Sequence, residues 1–137
     1  MRWKRVKPDD ERTIRDFLMA REARCTAAAS RFKELAACGL GSKAPGSAWA
    51  GFRIDEEGKA KACSLVIAMN SGVVSVVFDD AAHPANRRAL ARIISRRKIS
   101  SFQGLAVDVA LAENVRESLF TPFARSVVID PVEYSLM

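Results

Sequence analysis

Three arginines at four-residue intervals are the side chains in this sequence most suited to binding chemistry. Arg88, Arg92 and Arg96 lie in a segment whose apolar residues recur at helical spacing, so their guanidinium groups share one helix face. Such a face binds phosphates or other anions, although a solvated basic surface fits the same spacing. We therefore predict a candidate anion patch at these three residues. The surrounding segment has no interleaved aromatic side chains to stack on bases, which argues against nucleic acid as the partner.

The other reactive side chains predict no catalytic or metal site. The three cysteines, Cys25, Cys38 and Cys63, form no close pair, and each lies in an apolar context that favours a buried thiol. A single histidine, His83, leaves few ligands for zinc, and the proline after it indicates a turn. The carboxylates at positions 9–11 follow a proline and are typical of a helix start rather than of acid–base catalysis.

The composition permits an anionic partner without identifying one. The chain has 22 Lys and Arg against 16 Asp and Glu, which gives a net charge of +6. With 137 residues, 49% of them apolar, it contains enough material for one globular domain. No apolar stretch reaches the roughly 18 residues that a membrane helix needs, and the charged start lacks the apolar segment of a secretory signal. We expect a cytoplasmic protein with no membrane partner.

The elements that position the arginines alternate between strand and helix in the second half of the chain. Apolar runs predict strands at Gly72–Phe78, Ile99–Phe102 and Ala124–Asp130, and helices separate them, so we expect parallel pairing with crossover helices. The residues predicted to form the core face of the first of these helices are Ala85, Ala89, Leu90, Ile93 and Ile94. The row predicted for the second helix is Val107, Leu111, Val115 and Leu119, with Ala110 beside it.

The first half of the chain predicts one strand, two helices and an antiparallel meander. Strand patterns occur at Arg2–Val6, Ala48–Ile54 and Ala62–Met69, with a charged, glycine-containing turn between the last two. A helix starts at Pro8, and a second runs from near Glu22 to Gly39. The predicted fold is a single α+β domain over residues 1–137, with a mixed sheet of about six strands in the order β-α-α-β-β-β-α-β-α-β.

This order of elements resembles the GNAT superfamily of N-acetyltransferases. RWKRVKPDDERTIRDFL is similar to the opening strand and helix of that family, and AWAGFRIDEEGKAKACSLVI is similar to its second and third strands. RRKISSFQGLAVDVALAENVRESL, followed by ARSVVIDPVEYSLM, resembles the non-catalytic N-terminal domain of some two-domain members, with Ser-x-x-Gly at Ser101 to Gly104 as its most specific feature. The resemblance implies a GNAT-like fold and, in active relatives, acetyl-CoA as the cofactor.

The sequence departs from active members of that family at their cofactor loop. Active GNAT enzymes hold the CoA pyrophosphate with an Arg/Gln-x-x-Gly-x-Gly/Ala loop between the fourth strand and its helix, where bare amides meet the phosphates. The equivalent stretch here is DDAAHPAN, which has no glycine. Asp79 and Asp80 place negative charge beside the diphosphate position, and Pro84 removes an amide. We expect no acetyl-CoA bound by this chain and no catalytic residues in it.

The resemblance and this departure together suggest a non-catalytic role. We expect the N-terminal half of an acetyltransferase system, acting as a scaffold or substrate-side domain for a catalytic GNAT partner. The partner surface is expected at the C-terminal edge, where the chain ends in the apolar residues Tyr134, Leu136 and Met137, and a homo-oligomer through that edge is the other option. The alternatives are a small active acetyl-CoA-dependent N-acetyltransferase with a divergent cofactor loop and a basic nucleic-acid-binding module.

Overall fold

A computed structural model describes residues 1–95, 97–119 and 128–129, with Arg24 and residues 128–129 described by their backbone alone. The strands are β1 (Arg2–Arg5), β2 (Gly46–Ile54), β3 (Ala60–Met69), β4 (Val73–Phe78), β5 (Ser101–Gln103) and β6 (Val128–Ile129). The α-helices are α1 (Glu11–Met19), α2 (Thr26–Ala37), α3 (Pro84–Ile94) and α4 (Ala106–Ser118). The predicted α+β class and the predicted order of elements are confirmed.

The six strands form one mixed sheet in which neighbours in space are also neighbours in sequence. β1 to β4 pair antiparallel, and β4, β5 and β6 pair parallel. The parallel pairs need crossover connections, which α3 and α4 supply, whereas the short turns in the first half allow a meander. The change from antiparallel to parallel pairing therefore occurs at β4, as the sequence predicts.

Helices cover both faces of the sheet, and β3 shows the division most clearly. Leu65, Ile67 and Met69 belong to the core beneath α1 and α2, while Val66 and Ala68 belong to the core beneath α3 and α4. Because successive side chains of a strand point to opposite faces, a strand buried on both sides is a continuous apolar run. β3 fits this pattern, since every residue from 62 to 69 is buried.

The covering of the second face is uneven, and this leaves room for a site. On that face α3 packs on β3, and α4 packs on β4 and β5. α3 also contacts β1, and a groove opens between the side of α3 and the strands β1 and β2.

The predicted buried row of α4 is wrong in part. Val107 is 61% exposed, and the buried residues of this helix are Asp108, Val109, Ala112 and Val115. The helix is rotated because the Asp108 carboxylate turns inward and accepts a hydrogen bond from the Phe78 amide at 3.3 Å. An inward carboxylate displaces Val107 from the core face, a rotation that apolar spacing alone cannot reveal.

The other helix predictions are mostly confirmed. All five predicted core residues of α3 are buried. α2 ends before Gly39, which has a positive φ of 77°, as expected for a residue that terminates a helix. Cys25 and Cys63 are buried, but Cys38 is exposed because it lies in the turn after the last residue of α2, so its predicted burial is wrong.

The described residues end short of several predictions. The predicted strand Ala124–Asp130 is described only at positions 128–129, where β6 pairs with β5. The predictions for Arg96, Tyr134, Leu136 and Met137 fall outside the described residues.

Candidate anion-binding site

A groove of about 490 Å³ lies between α3 and the strands β1 and β2. Arg88 and Arg92 of α3 and the following Arg97 form its basic side, and Trp3 of β1 and Trp49 of β2 form its aromatic side. We call these five residues and the space between them the basic groove. Its volume lies within the range of about 300–1,000 Å³ that is usual for small-molecule sites.

The structure brings two of the three predicted patch residues together at this groove. Arg88 and Arg92 are exposed on the side of α3 that faces the strands, and Arg96 lies outside the described residues. Arg97 also lines the groove; the sequence places it in the same basic stretch but outside the four-residue repeat, because it lies beyond the last residue of α3. Sequence analysis missed both tryptophans, since the sheet brings them from distant parts of the chain.

Hydrogen bonds hold Arg97 and Trp49 in place at one end of the groove. The Arg97 Nε donates to the Ile93 carbonyl at 2.8 Å, and its Nη2 donates to the Ser47 hydroxyl at 3.3 Å. The Trp49 Nε1 donates to the same Ser47 oxygen at 3.2 Å. A shared acceptor therefore ties the basic side to the aromatic side, and both groups are positioned before any ligand arrives.

Among the described residues, no carboxylate pairs with Arg97 at this end of the groove. Arg97 is half-buried, and this burial, together with the positive charge of the neighbouring Arg5, lowers the pKa of its guanidinium. The Arg5 guanidinium lies 5.9 Å from the centre of the Trp49 ring, which partly offsets its repulsion from Arg97 by a cation–π contact. A bound anion would favour the charged form of Arg97.

No acidic side chain lines the groove among the residues that the structure describes. The ion pairs formed within 4.0 Å in this part of the chain involve other cations, and none includes Arg88, Arg92 or Arg97. By contrast, Arg15 pairs with Glu11 on the helices of the opposite face. Lys4 also lines the concavity, and its Nζ pairs with the Asp10 carboxylate at 3.0 Å. Among the described residues, Arg88, Arg92 and Arg97 have no carboxylate within 4.0 Å.

The shape of the aromatic side depends on a glycine. Trp3 is paired with Gly51 across β1 and β2, and its indole lies close to the Gly51 backbone. A Cβ at position 51 would lie 2.9 Å from Trp3 Cε2 and 2.8 Å from the Met1 sulfur, closer than real Cβ contacts. The Trp3 Nε1 is buried and has no hydrogen-bond acceptor among the described residues. Glycine is therefore required here for close approach of the indole to the backbone.

The corner where α3 begins has the opposite character, because its amides are already bonded within the chain. His83 Nδ1 accepts from the Ala85 amide at 3.1 Å, and the Asp80 carboxylate accepts from the Ala82 amide at 3.1 Å. Pro84 contributes no amide at all. The histidine thus caps the helix, as its predicted place in a turn suggested, and few donors remain for a phosphate.

Two further contacts hold this corner closed. The fully buried Asn86 donates from Nδ2 to the Asp80 carbonyl at 2.7 Å and accepts from the Ser64 hydroxyl at 2.8 Å. Asp79 forms an ion pair with Arg21, whose guanidinium also lies 3.9 Å from the Phe17 ring centre. The loop is therefore joined to β3 through Asn86 and to the first helical layer through Arg21.

The space between β4 and β5 beyond their paired residues is also occupied. Pairing of these strands extends from Val73–Ser101 to Ser75–Gln103 and then stops at Gly104. Beyond that point Asp108 of α4 takes the Phe78 amide that a longer β5 would have paired. The described helix α4 therefore closes the strands where they separate.

Two of the three cysteines, Cys25 and Cys63, are buried thiols. Burial raises the pKa of the Cys63 thiol, whose sulfur donates to the Gly51 carbonyl at 3.4 Å, and a raised pKa disfavours the thiolate. Cys25 donates to the Leu18 and Arg21 carbonyls. Among the residues with described positions, no group of three His, Cys, Asp or Glu could hold a metal ion. No helix in the described segments is long and apolar enough to span a membrane.

Comparison with known proteins gives no assignment for this chain. No family model matches it, and no curated protein or solved structure is significantly similar to it.

Proposed function

We propose that this chain is a non-catalytic binding domain whose ligand is anionic and whose binding site is the basic groove. The observation that carries the proposal is the convergence of Arg88, Arg92 and Arg97 on one concavity that no described acidic residue lines. Cations gathered without carboxylates repel one another, so an anion bound between them is favoured by their combined charge.

The closed corner at the start of α3 supports the non-catalytic part of the proposal. A CoA diphosphate would need free amides there, but His83 and Asp80 already occupy those of Ala85 and Ala82. We propose that this chain binds no acetyl-CoA at that corner. The layout of strands and helices remains the support for a GNAT-like domain that works beside a catalytic acetyltransferase domain.

The partner surface of this proposed role is the sheet edge at β6. β6 is the last of the described strands in the sheet, so a strand from a catalytic GNAT domain or from a second copy of this chain could extend the pairing there. This edge lies at the opposite end of the sheet from β1, which borders the basic groove. One domain could therefore hold a partner at one edge and a ligand near the other.

Titration calorimetry with tripolyphosphate tests the anion site directly. We expect binding that weakens as salt rises, because the contacts are charge-assisted and largely exposed. The double substitution Arg88→Gln and Arg92→Gln should weaken it at least about tenfold. The matched control is Arg12→Gln with Lys33→Gln, which removes the same charge from exposed positions on α1 and α2, on the other face of the sheet. Equal weakening by both pairs would contradict a site in the groove.

The competing hypothesis of a small active acetyltransferase makes a separate prediction. The chain alone would transfer acetyl groups from acetyl-CoA to an amine, which mass spectrometry on a peptide and polyamine panel would detect. We expect no mass shift with folded protein. Acetyl transfer that survives substitution of the groove arginines would replace the non-catalytic proposal with the enzymatic one.

A further inference from the structure

We propose that the ligand of the basic groove is a nucleoside phosphate, an inference that rests on the proposed anion site and specifies what occupies it. The groove presents two kinds of recognition on facing sides. Arg88 and Arg92 offer guanidinium groups from α3, and Trp3 and Trp49 offer indole rings from the sheet. Phosphate suits the first side and a planar base suits the second.

The aromatic side distinguishes this ligand from a simple anion. Inorganic phosphate or sulfate needs only cations and amides, and two large aromatic rings beside the cations would contribute nothing to its binding. Stacking of a base on an aromatic side chain contributes roughly 1–3 kcal/mol to the binding free energy, as measured by replacing the aromatic residue with alanine. The tryptophans also supply the aromatic groups whose absence from the α3 sequence argues against nucleic acid.

The basic side has dimensions that fit linked phosphates. Arg88 and Arg92 are four residues apart on α3, which separates them by about 6 Å along the helix axis. Arg97 lies beyond them at the same side and is held by Ile93 and Ser47. Three guanidinium groups along one side of a groove can contact successive phosphates of one nucleotide or of one strand.

The concave shape excludes a double helix as the ligand. Proteins read duplex DNA by inserting a helix or ribbon into its groove, whereas these side chains surround a hollow of about 490 Å³. A hollow of this size accepts one nucleotide. That nucleotide can be a free molecule or one unit of a single strand, and both sources present the same chemistry to the groove.

Intrinsic fluorescence gives a direct measurement because the only two tryptophans of the chain both line the groove. The probes are ATP, tripolyphosphate, which lacks a base, and adenosine, which lacks phosphate. We expect ATP to quench the emission and to bind at least about tenfold more tightly than tripolyphosphate or adenosine. Arg88→Gln with Arg92→Gln should weaken ATP binding at least tenfold, and Arg12→Gln with Lys33→Gln should not.

A second variant separates the two sides of the groove. Trp49→Leu should weaken the affinity for ATP roughly fivefold or more and leave the affinity for tripolyphosphate nearly unchanged. Calorimetry measures both affinities, and circular dichroism checks that the variant is folded. Equal affinity for ATP and tripolyphosphate would overturn the nucleoside assignment and leave the anion site intact. Failure of both to bind would overturn both proposals.

The source of the nucleotide is decided by comparing AMP with hexadeoxyadenylate. Tighter binding of the hexamer by more than about tenfold, with a steep salt dependence, would assign a single strand as the source. A higher affinity for ATP than for the hexamer would assign a free nucleotide as the ligand. If neither ATP nor the hexamer binds more tightly than tripolyphosphate, the proposal of a nucleoside phosphate ligand is contradicted.

Discussion

Helix α3 borders two places of opposite character, the corner at its first turn and the basic groove along its side. At the corner, the amides and side chains bond to one another through His83, Asp80 and Asn86. In the groove, Arg88 and Arg92 face open space and no described carboxylate. A polar group that is already bonded gains little from a ligand, while an uncompensated cation gains much. The two places therefore differ in ligand capacity although one helix contributes to both.

The proposed site therefore does not lie where the arrangement of strands and helices would usually place one. A parallel pair joined by a helix usually places its ligand beyond the carboxyl ends of the strands. Here those ends are filled by Asp108 on Phe78 and by the capped start of α3. The open site lies between the side of α3 and the strands β1 and β2. Four changes test this contrast, beginning with the largest expected effect.

Asn86→Ala should lower the free energy of unfolding by about 3 kcal/mol. The change removes hydrogen bonds to the Asp80 carbonyl and from the Ser64 hydroxyl inside a fully buried site, and both partners lose their bond. Urea denaturation measures the loss. Ser64→Ala removes only one of the two contacts and should cost about 1 kcal/mol. A loss below about 1 kcal/mol for Asn86→Ala would show that the two Asn86 hydrogen bonds do not hold the corner closed.

Gly51→Ala should lower the free energy of unfolding by about 1–3 kcal/mol and shift the tryptophan emission. The added Cβ would lie 2.9 Å from Trp3 Cε2, so the indole must move out of its place beside the groove. Gly41→Ala is the control, because the nearest atom to its added Cβ is 3.9 Å away. Unchanged emission and stability for Gly51→Ala would mean that this glycine does not set the position of Trp3.

Arg97→Met should affect binding more than stability. The arginine donates to Ile93 and Ser47, but it is also a half-buried charge near Arg5, so its removal should cost no more than about 1 kcal/mol of unfolding free energy. Affinity for tripolyphosphate should fall severalfold, and the salt dependence should lose roughly one charge. Unaltered affinity and salt dependence would exclude Arg97 from the site.

The hairpin turn between β2 and β3 gives the smallest expected effect, far from both places. The hydrogen bond from the Lys59 amide is the largest influence on the pKa of Asp55, and with the Glu57 amide and the Lys61 charge it outweighs desolvation and holds that pKa below its ordinary value of 3.8. Because the folded pKa is the lower one, the stability it contributes is present above 3.8 and is lost as pH falls through the folded pKa.

The test compares the urea midpoints of the natural protein and of Asp55→Asn, which keeps an acceptor and cannot titrate. The difference between them should stay constant above about pH 5 and shrink below about pH 4. Anion binding at neutral pH should be the same in both proteins. A difference that stays constant to pH 3 would show that Asp55 is not stabilised in its charged form.

Much of the fold could be predicted because its signals are local. β-branched runs and glycine turns identify β2, β3 and β4, and a proline after His83 identifies the start of α3. The rotation of α4 could not be predicted, since it depends on one buried carboxylate, Asp108, that finds the Phe78 amide across the sheet. Apolar spacing indicates which faces of a helix can be buried. In α4, the long-range hydrogen bond of Asp108 determines which face is buried.

The sequence by itself determined the order of strands, the parallel crossover around α3 and the clustering of arginines on that helix, because each depends on residues within one or two helical turns. Only the tertiary structure decided that Trp3 and Trp49 face Arg88 and Arg92. Those residues belong to separate elements, and their meeting depends on the register of β1 with β2 and on how far α3 extends across the sheet. A binding groove is made of such long-range pairings, which no local pattern records.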